Sequence, residues 1–264
     1  MKISQSFMKS FAEYRVKEEC GLVVKAKYLD GIQSVPTKAM KLGQYFEYMA
    51  TGGLPAYGDG TPPEPDTVYK GTAKERLSED YERANQSAIF CKALFKAMNI
   101  KILSFGKKLI STKLNMSCTT DIIAKWNGKK CIIDLKYSGL VDDKWNELGW
   151  HEDFLEQKEK ILTQAVHYKI IAKEKFKTDD VPFYFFVFNT KDPMDVRIFE
   201  VLVDPSKEME HLEGVKNVSQ ALKREMKSPN GWKAYPELKR CNKCHLNETC
   251  EQRALLPKIK QVFY

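Results

Sequence analysis

The spacing of apolar residues along the chain separates helical stretches from strand-forming ones. Within residues 42–49 apolar side chains recur at intervals of three and four, as they do on one face of a helix. A similar stripe predicts a helix over 72–98, and another helix is expected over about 153–173. From residue 101 the spacing approaches the period of two that is typical of strands. The strands predicted in this way cover residues 107–114, 119–126, 129–137, 182–189 and 196–203.

Residues 51–70 contain four glycines and four prolines. This density is incompatible with a regular helix or strand, so we expect a long loop of the kind that often has a functional role. Strands with helices before and after them predict an α/β or α+β fold. We expect three regions: a helical region at 1–100, a core at 101–205 and a Cys-rich appendage at 206–264.

The composition is that of an ordinary globular protein. The chain has 264 residues, of which 43% are hydrophobic and 30% charged, and this excludes a disordered chain, a collagen-like repeat and a small disulfide scaffold. The apolar run at 181–188 is far shorter than the ~18 residues that a membrane span needs. No secretory signal follows Met1, so we expect a soluble intracellular protein. The net charge of +8 is a weak indication of a polyanionic partner.

Residues 120–136 contain the most informative local pattern. Asn127-Gly128 between two apolar runs predicts a two-residue type I′ hairpin. Such a turn places Asp121 opposite Asp134, and the period of two puts Lys136 on the same face. The other face is then nearly all apolar, and it consists of Ile122, Ala124, Trp126, Cys131, Ile133 and Leu135.

Two carboxylates directly across a strand pair repel each other and need a compensating cation. Mg²⁺ or Mn²⁺ would suit this face, because both ions prefer oxygen ligands and are often held by one or two carboxylates and a phosphate. Lys136 could then hold a water or a phosphate oxygen. The alternative is an ordinary solvated face on which Lys136 pairs with a carboxylate, with little effect on stability.

The same residues resemble the motifs of the PD-(D/E)XK nucleases, and in particular of their RecB-like branch. Asp121 matches the first acidic residue of the family motif, and Asp134 and Lys136 match its D-x-K strand. About thirty residues later, Gln164 and Tyr168 match the Gln-x-x-x-Tyr motif of the branch. The resemblance implies a restriction-endonuclease-like mixed β-sheet flanked by helices, with catalytic roles for Asp121, Asp134 and Lys136. It also implies DNA contacts from Gln164 and Tyr168.

The resemblance extends upstream to residues 42–47. There the family has a glycine followed four residues later by a metal ligand, which Gly43 and Glu47 match. This implies that Glu47 joins Asp121 and Asp134 as a ligand of Mg²⁺ or Mn²⁺. The chain departs from the family pattern at residues 117–120, where it has Ser-Cys-Thr-Thr instead of a glycine shortly before the first acidic residue.

The seven cysteines are expected to be thiols or metal ligands rather than disulfides. Cys241, Cys244 and Cys250 form a C-x₂-C-x₅-C pattern that is typical of a metal site. A zinc knuckle with His245 is one alternative, but Cys244 and His245 are adjacent and poorly spaced to bind one tetrahedral ion. Cys91, Cys118 and Cys131 lie in apolar or strand contexts, which favours buried structural thiols; these three are outside the metal pattern.

The iron–sulfur subset of RecB-like nucleases, which includes AddB and CRISPR-associated RecB-type exonucleases, has a fourth cysteine near the N-terminus. Cys20 stands at the matching place in this chain. The resemblance therefore implies a 4Fe–4S cluster on Cys20, Cys241, Cys244 and Cys250. Such a cluster would pack the Cys-rich region back on the N-terminal region.

Taken together, the motifs predict a metal-dependent DNA nuclease, an exonuclease that acts in recombination, repair or phage DNA processing. Two alternatives stay open: a non-catalytic DNA-binding or recombination scaffold with the same fold and cluster, and a zinc-stabilised binding module. The expected partners are single-stranded DNA or duplex ends and a recombination or CRISPR-adaptation protein, with no membrane. The expected location is the cytoplasm of a bacterium or of a phage-infected host. Cleavage polarity and oligomeric state, ring formation included, stay open.

Overall fold

The computed structural model describes residues 1–32, 34–53, 61–68, 76–141, 155–228 and 231–254. Parts of the predicted loop, at 54–60 and 69–70, and the starts of two predicted helices, at 72–75 and 153–154, lie outside the described residues. The elements in chain order are α1 (Gln5–Arg15), α2 (Gly21–Tyr28), α3 (Lys38–Thr51), β1 (Thr67–Val68), β2 (Arg76–Leu77), α4 (Glu79–Ala97), β3 (Lys101–Ser111), β4 (Met116–Trp126), β5 (Lys129–Ser138), α5 (Leu155–Phe176), β6 (Phe183–Asn189), β7 (Val196–Glu200), α6 (Pro205–Lys227), α7 (Leu238–Cys241) and α8 (Glu251–Ala254).

The chain divides into two compact units. One unit combines Ile3–Val35 with the described residues from Glu213 onward, and the other comprises Pro36–Leu212. The first unit therefore contains α1, α2 and the Cys-rich segment. The second contains the whole sheet, and residues 36–100 group with that sheet rather than with α1 and α2.

The second unit is built on a five-stranded mixed sheet. Its strand order is β3-β4-β5-β6-β7, and all neighbours are antiparallel except β5 and β6. The chain passes through α5 between these two parallel strands, as a crossover connection requires. With helices flanking the sheet, this is the restriction-endonuclease-like fold that the motifs predicted. Among the described helices, none has the length and apolar character needed to cross a bilayer.

The central strand β5 is fully buried in its middle. Residues 131–135 are all buried, and Asp134 is the one charged residue among them. Helix α3 packs beside this strand, and the Phe46 ring stacks on Tyr137 with 4.8 Å between the ring centroids. The helix begins after Thr37, whose hydroxyl accepts a hydrogen bond from the Met40 N–H, and ends at Gly52, where φ is 72°. These two caps set the length of the helix that carries Glu47.

The first unit is held together by a buried carboxylate and a group of aromatic rings. Glu225 accepts hydrogen bonds from the Tyr14 hydroxyl and from the Trp232 N–H, the latter at 2.8 Å. The rings of Tyr14 and Trp232 stack with 5.7 Å between centroids, and Phe11 packs against both. Burial and the bond to Glu225 raise the pKa of Tyr14 to about 12, so its hydroxyl remains a donor. These contacts connect α1 to α6 and to the segment that follows it.

Two predicted boundaries differ from the structure by six residues or more. Strand β3 begins at Lys101 rather than at residue 107, because it is an edge strand whose exposed side chains, Leu103 and Phe105 among them, hide the usual alternation. Helix α4 begins at Glu79 rather than at residue 72, since Arg76–Leu77 form strand β2.

Candidate active site

The predicted hairpin forms with the predicted register. Asn127 and Gly128 have φ values of 48° and 78°, as both central positions of a type I′ turn require. Trp126 pairs with Lys129, and the antiparallel ladder continues to the pair of Ile122 and Ile133. Just beyond that pair, the Asp121 carboxylate accepts a hydrogen bond of 2.8 Å from the backbone N–H of Leu135. Asp121 is therefore anchored to β5 beside Asp134.

Asp134 is 1% exposed, and one of its oxygens lies in an ion pair while the other accepts a hydrogen bond. Its Oδ2 lies 2.5 Å from the Lys136 ammonium, and its Oδ1 accepts a hydrogen bond of 2.6 Å from the Gln164 amide. Gln164 also accepts a hydrogen bond of 3.4 Å from Lys136 through its Oε1. Gln164, from α5, thus connects Asp134 with Lys136 of the D-x-K strand.

Glu47 completes the acidic group from helix α3. Burial, and then the charge of Asp134, raise the pKa of Glu47 to about 7. The pKa of Asp121 is raised well above its usual value by burial and by the charges of Asp134 and Glu47. Burial also raises the pKa of Asp134, although Lys136 opposes this. Glu47, Asp121 and Asp134 therefore interact in a poorly solvated part of the structure. The single charge of Lys136 does not balance three ionised carboxylates.

Lys136 is the cation that partly offsets these carboxylates. Burial by itself would lower the pKa of its ammonium, but the charges of Asp134 and Asp121 outweigh that effect and the pKa is raised. Lys136 therefore stays protonated and acts as a hydrogen-bond donor.

The donor set fits a divalent metal ion in its chemistry. Carboxylate oxygens are the ligands that Mg²⁺ and Mn²⁺ prefer. Burial raises the pKa of Glu47, Asp121 and Asp134, and neighbouring carboxylates raise those of Glu47 and Asp121 further, so a divalent cation would stabilise the ionised forms. Within the described residues, however, no three Cys, His, Asp or Glu side chains are already arranged to hold a metal. Both Asp134 oxygens are engaged by Lys136 and Gln164, so a metal would have to displace one of these contacts.

Tyr168 lies one helical turn beyond Gln164 and is 9% exposed. Its ring packs edge-on against Phe183, with 6.0 Å between centroids. The structure thus brings Glu47, Asp121, Asp134, Lys136 and Gln164 together, while it places the Tyr168 ring in the packing between α5 and β6.

Sequence reasoning did not single out His167, which is fully buried between these two residues of α5. Its Nε2 lies 3.1 Å from the Ser117 carbonyl oxygen and its Nδ1 lies 2.9 Å from Nε2 of His211. A carbonyl oxygen only accepts, so Nε2 of neutral His167 donates and its Nδ1 accepts from His211. Burial lowers the pKa of His211 to about 4, which favours this neutral pair. The presence of a histidine within the Gln-x-x-x-Tyr motif was the only local sequence signal of the His167–His211 contact.

The four cysteines predicted to bind a cluster line one cavity of about 260 Å³ in the first unit. The backbone N–H of Leu246 lies 3.4 Å from the Cys244 sulfur and donates to it. Burial raises the pKa of the Cys244 thiol, and the charges of Cys20, Cys241 and Cys250 raise it further. Nε2 of His245, another residue of the cavity wall, is buried and has no hydrogen-bond partner within the described part of the chain.

The other three cysteines are buried, as expected. Burial raises the pKa of Cys91 and Cys118 to about 12 and that of Cys131 to about 11. These thiols are therefore protonated and unreactive near neutral pH.

The chain is similar to one protein family and to solved structures. A family model described as a PDDEXK-like domain of unknown function (DUF3799) matches residues 4–250. A solved structure from Eubacterium rectale, described as a candidate exonuclease, is similar over 100% of this chain and 91% of that one, with 20% identity and a TM-score of 0.60. LHK-Exo in complex with dAMP is similar over 85% of this chain and 89% of that one, with 14% identity and a TM-score of 0.48. No curated protein matches the sequence. At 20% identity the similarity to the first of these structures shows a shared fold alone.

Proposed function

The chain belongs to the family of PDDEXK-like domains of unknown function, and from this premise we propose that it is a metal-dependent DNA nuclease of the RecB-like type, acting as an exonuclease. The observation that carries the proposal is the grouping of Glu47, Asp121 and Asp134 around Lys136 and Gln164. Three carboxylates beside one lysine are more negative charge than a structural ion pair needs, and a divalent cation would offset the remainder.

In this proposal Glu47, Asp121 and Asp134 hold Mg²⁺ or Mn²⁺. When bound, such a cation supplies Lewis-acid stabilisation of the scissile phosphate and a more acidic water. Lys136, released from Asp134, donates a hydrogen bond to that water or to a non-bridging phosphate oxygen and so orients the attack. Gln164 keeps Asp134 and Lys136 in place through its two amide atoms and borders the path of the DNA strand, while the buried Tyr168 ring packs the same helix against β6.

We also propose that Cys20, Cys241, Cys244 and Cys250 hold a 4Fe–4S cluster. Two features support this proposal: all four line one cavity, and a backbone N–H is directed at the Cys244 sulfur, as is usual around cluster ligands. Protein purified without oxygen should be brown and contain iron and acid-labile sulfide. A colourless protein with stoichiometric zinc would instead support a zinc site, for which the unpaired Nε2 of His245 is a candidate ligand.

The biological setting is proposed on the motifs alone. A nuclease with these features suits DNA recombination, repair or phage DNA processing in a bacterial or phage-infected cytoplasm, with a recombination or CRISPR-adaptation protein as a partner.

Cleavage of end-labelled linear DNA and of closed circular DNA, with Mg²⁺ or Mn²⁺, tests the activity. We expect linear DNA to be degraded from its ends and circular DNA to persist, and we expect EDTA to stop the reaction. Asp134→Asn should reduce cleavage at least ~100-fold, because it removes a metal ligand and the partner of Lys136. The matched control is Asp180→Asn, an exposed carboxylate that pairs with Lys129 elsewhere in the same unit.

Each outcome of this assay has a distinct meaning. Cleavage by Asp134→Asn at the wild-type rate would reject the site. Wild-type protein that binds DNA and never cuts it would replace the nuclease with the non-catalytic scaffold. Degradation of circular DNA would make the enzyme an endonuclease.

A further inference from the structure

Strand β3 forms one edge of the five-stranded sheet, and its register with β4 determines which side chains share the face of the carboxylates. Lys108 pairs with Thr119, and Lys107 pairs with Thr120. Paired residues, and residues two apart in one strand, project to the same face. Lys108, Thr119 and Asp121 therefore share a face, while Lys107 projects to the opposite one.

This strip of the face is partly accessible to solvent. Within β4, Thr119 and Asp121 are half-buried, whereas Thr120 and Ile122 beside them are buried. Lys108 is exposed, and it has no ion-pair partner within the described residues, in contrast to Lys129 and Lys136. A lysine without a carboxylate partner on this face is available to an anion that comes from outside.

The residue opposite Asp121 is a glycine. Phe105 pairs with Ile122 and Lys107 with Thr120, so Gly106 lies across from Asp121, and it is exposed with a φ of 54°. A glycine leaves the face without a side chain at that point and allows another backbone to approach closely. At strand spacing, the Cα atoms of Lys108 and Asp121 are about 8 Å apart, a distance that neighbouring phosphates of one strand can span.

We propose that Lys108 and Thr119 form a phosphate-binding subsite next to the scissile bond, and that the DNA strand crosses the β3 edge over Gly106. Lys108 neutralises one backbone phosphate and the Thr119 hydroxyl donates to a non-bridging oxygen of the same group. Such contacts position a strand without reading its sequence. This inference rests on the proposed nuclease function, and it adds the direction from which the substrate reaches the carboxylates.

Lys108→Gln is the test, and Lys107→Gln is its matched control, since it removes the same charge from the adjacent residue on the opposite face. Binding of a labelled oligonucleotide to the full chain is measured in EDTA at several salt concentrations, so that cleavage plays no part. One lost phosphate contact reduces the slope of log Kd against log salt by about 0.7 to 0.9 and weakens binding about tenfold at 50 mM salt. We expect this for Lys108→Gln, with an unchanged slope for Lys107→Gln.

A kinetic measurement separates this inference from the function on which it rests. With Mg²⁺ or Mn²⁺, Lys108→Gln should raise KM and leave kcat within about twofold, because Lys108 does not contact the metal. Equal effects of the two substitutions would overturn the subsite, since they would reflect net charge alone. An unchanged slope and KM for Lys108→Gln would also overturn it, and wild-type cleavage in the same experiment shows whether the nuclease proposal stands.

Discussion

At the scale of single residues, Asp134 and Lys136 form an ion pair at the place where we propose a metal ion. The period of two in β5 puts both side chains on one face of the sheet. The 2.5 Å ion pair between them is a contact that solvent-exposed Lys and Asp residues also make. Asp134 is 1% exposed, however, so this pair is not a solvated one. Lys136 acts as an internal counter-ion for Asp134 and opposes the rise that burial causes in the pKa of this carboxyl group.

Glu47→Gln should therefore stabilise the metal-free protein and impair its activity. The pKa of Glu47 is about 7 in the folded protein and near 4.5 when unfolded, so its ionisation costs stability as the pH rises from 4.5 to 7. We expect the variant to gain roughly 1–3 kcal/mol in unfolding free energy at pH 8 in EDTA, because the neutral amide removes one of three crowded charges.

Urea denaturation at two pH values checks this prediction. The gain should disappear below about pH 3.5, where Glu47 is protonated in both folded and unfolded protein, and this serves as the internal control. Cleavage should fall and should require more Mg²⁺, because a ligand has been lost. A variant that is less stable than the wild type at pH 8 would contradict the crowding of these carboxylates.

At the scale of elements, the hairpin is the part of the site that depends least on the rest of the chain. Its turn was predictable because Asn-Gly adopts positive φ at both positions, and its register followed from the turn by the period of two. Glu47 and Gln164 could not be derived in this way. Their places depend on how α3 and α5 pack on the sheet, and a resemblance to a family was needed to select them.

Dependence on packing between distant elements also explains why the His167–His211 contact was not predicted. The contact of His167 with His211 joins helices α5 and α6, and no spacing within one helix signals it. The first half of β3 was missed because an edge strand has little apolar alternation. Local signals thus predicted the turn and the central strands, while contacts between distant elements were beyond reach.

Two glycine substitutions should have opposite effects on stability. Gly128→Ala forces a side chain onto a φ of 78° and should cost about 1–2 kcal/mol. Gly43→Ala lies within helix α3, where an added Cβ would meet no atom within 4 Å, and it should gain up to about 1 kcal/mol. Denaturant midpoints measure both, and a stabilising Gly128→Ala would argue against the type I′ turn.

At the scale of the whole molecule, the cysteines divide by unit as well as by role. Cys20, Cys241, Cys244 and Cys250 belong to the first unit and line one cavity, whereas Cys91, Cys118 and Cys131 are buried in the second. The proposed cluster would thus stabilise the first unit, whereas Glu47, Asp121 and Asp134 of the candidate active site belong to the second.

Cys244→Ser should release the iron and loosen only the first unit. Hydrogen exchange should accelerate in α2 and in residues 231–250, because a structural metal supplies folding energy to a segment with few other contacts, and strands β4 to β6 should keep their protection. Cys91→Ala is the control that removes a cysteine outside the cavity and should retain iron. Faster exchange spread evenly over both units would show that the cavity has no such local role.

The division of the chain at residues 35 and 213 also determines an order of events on the ribosome. Pro36–Leu212 is continuous and can fold as soon as it has been translated, but residues 3–35 must wait for partners that are made about 180 residues later. At typical rates of elongation this delay lasts roughly ten to forty seconds, during which Phe11 and Tyr14 have no Trp232 or Glu225 to pack against. The N-terminal segment is therefore the part of the nascent chain most in need of a chaperone. Slow synthesis would prolong the time during which its apolar side chains are exposed.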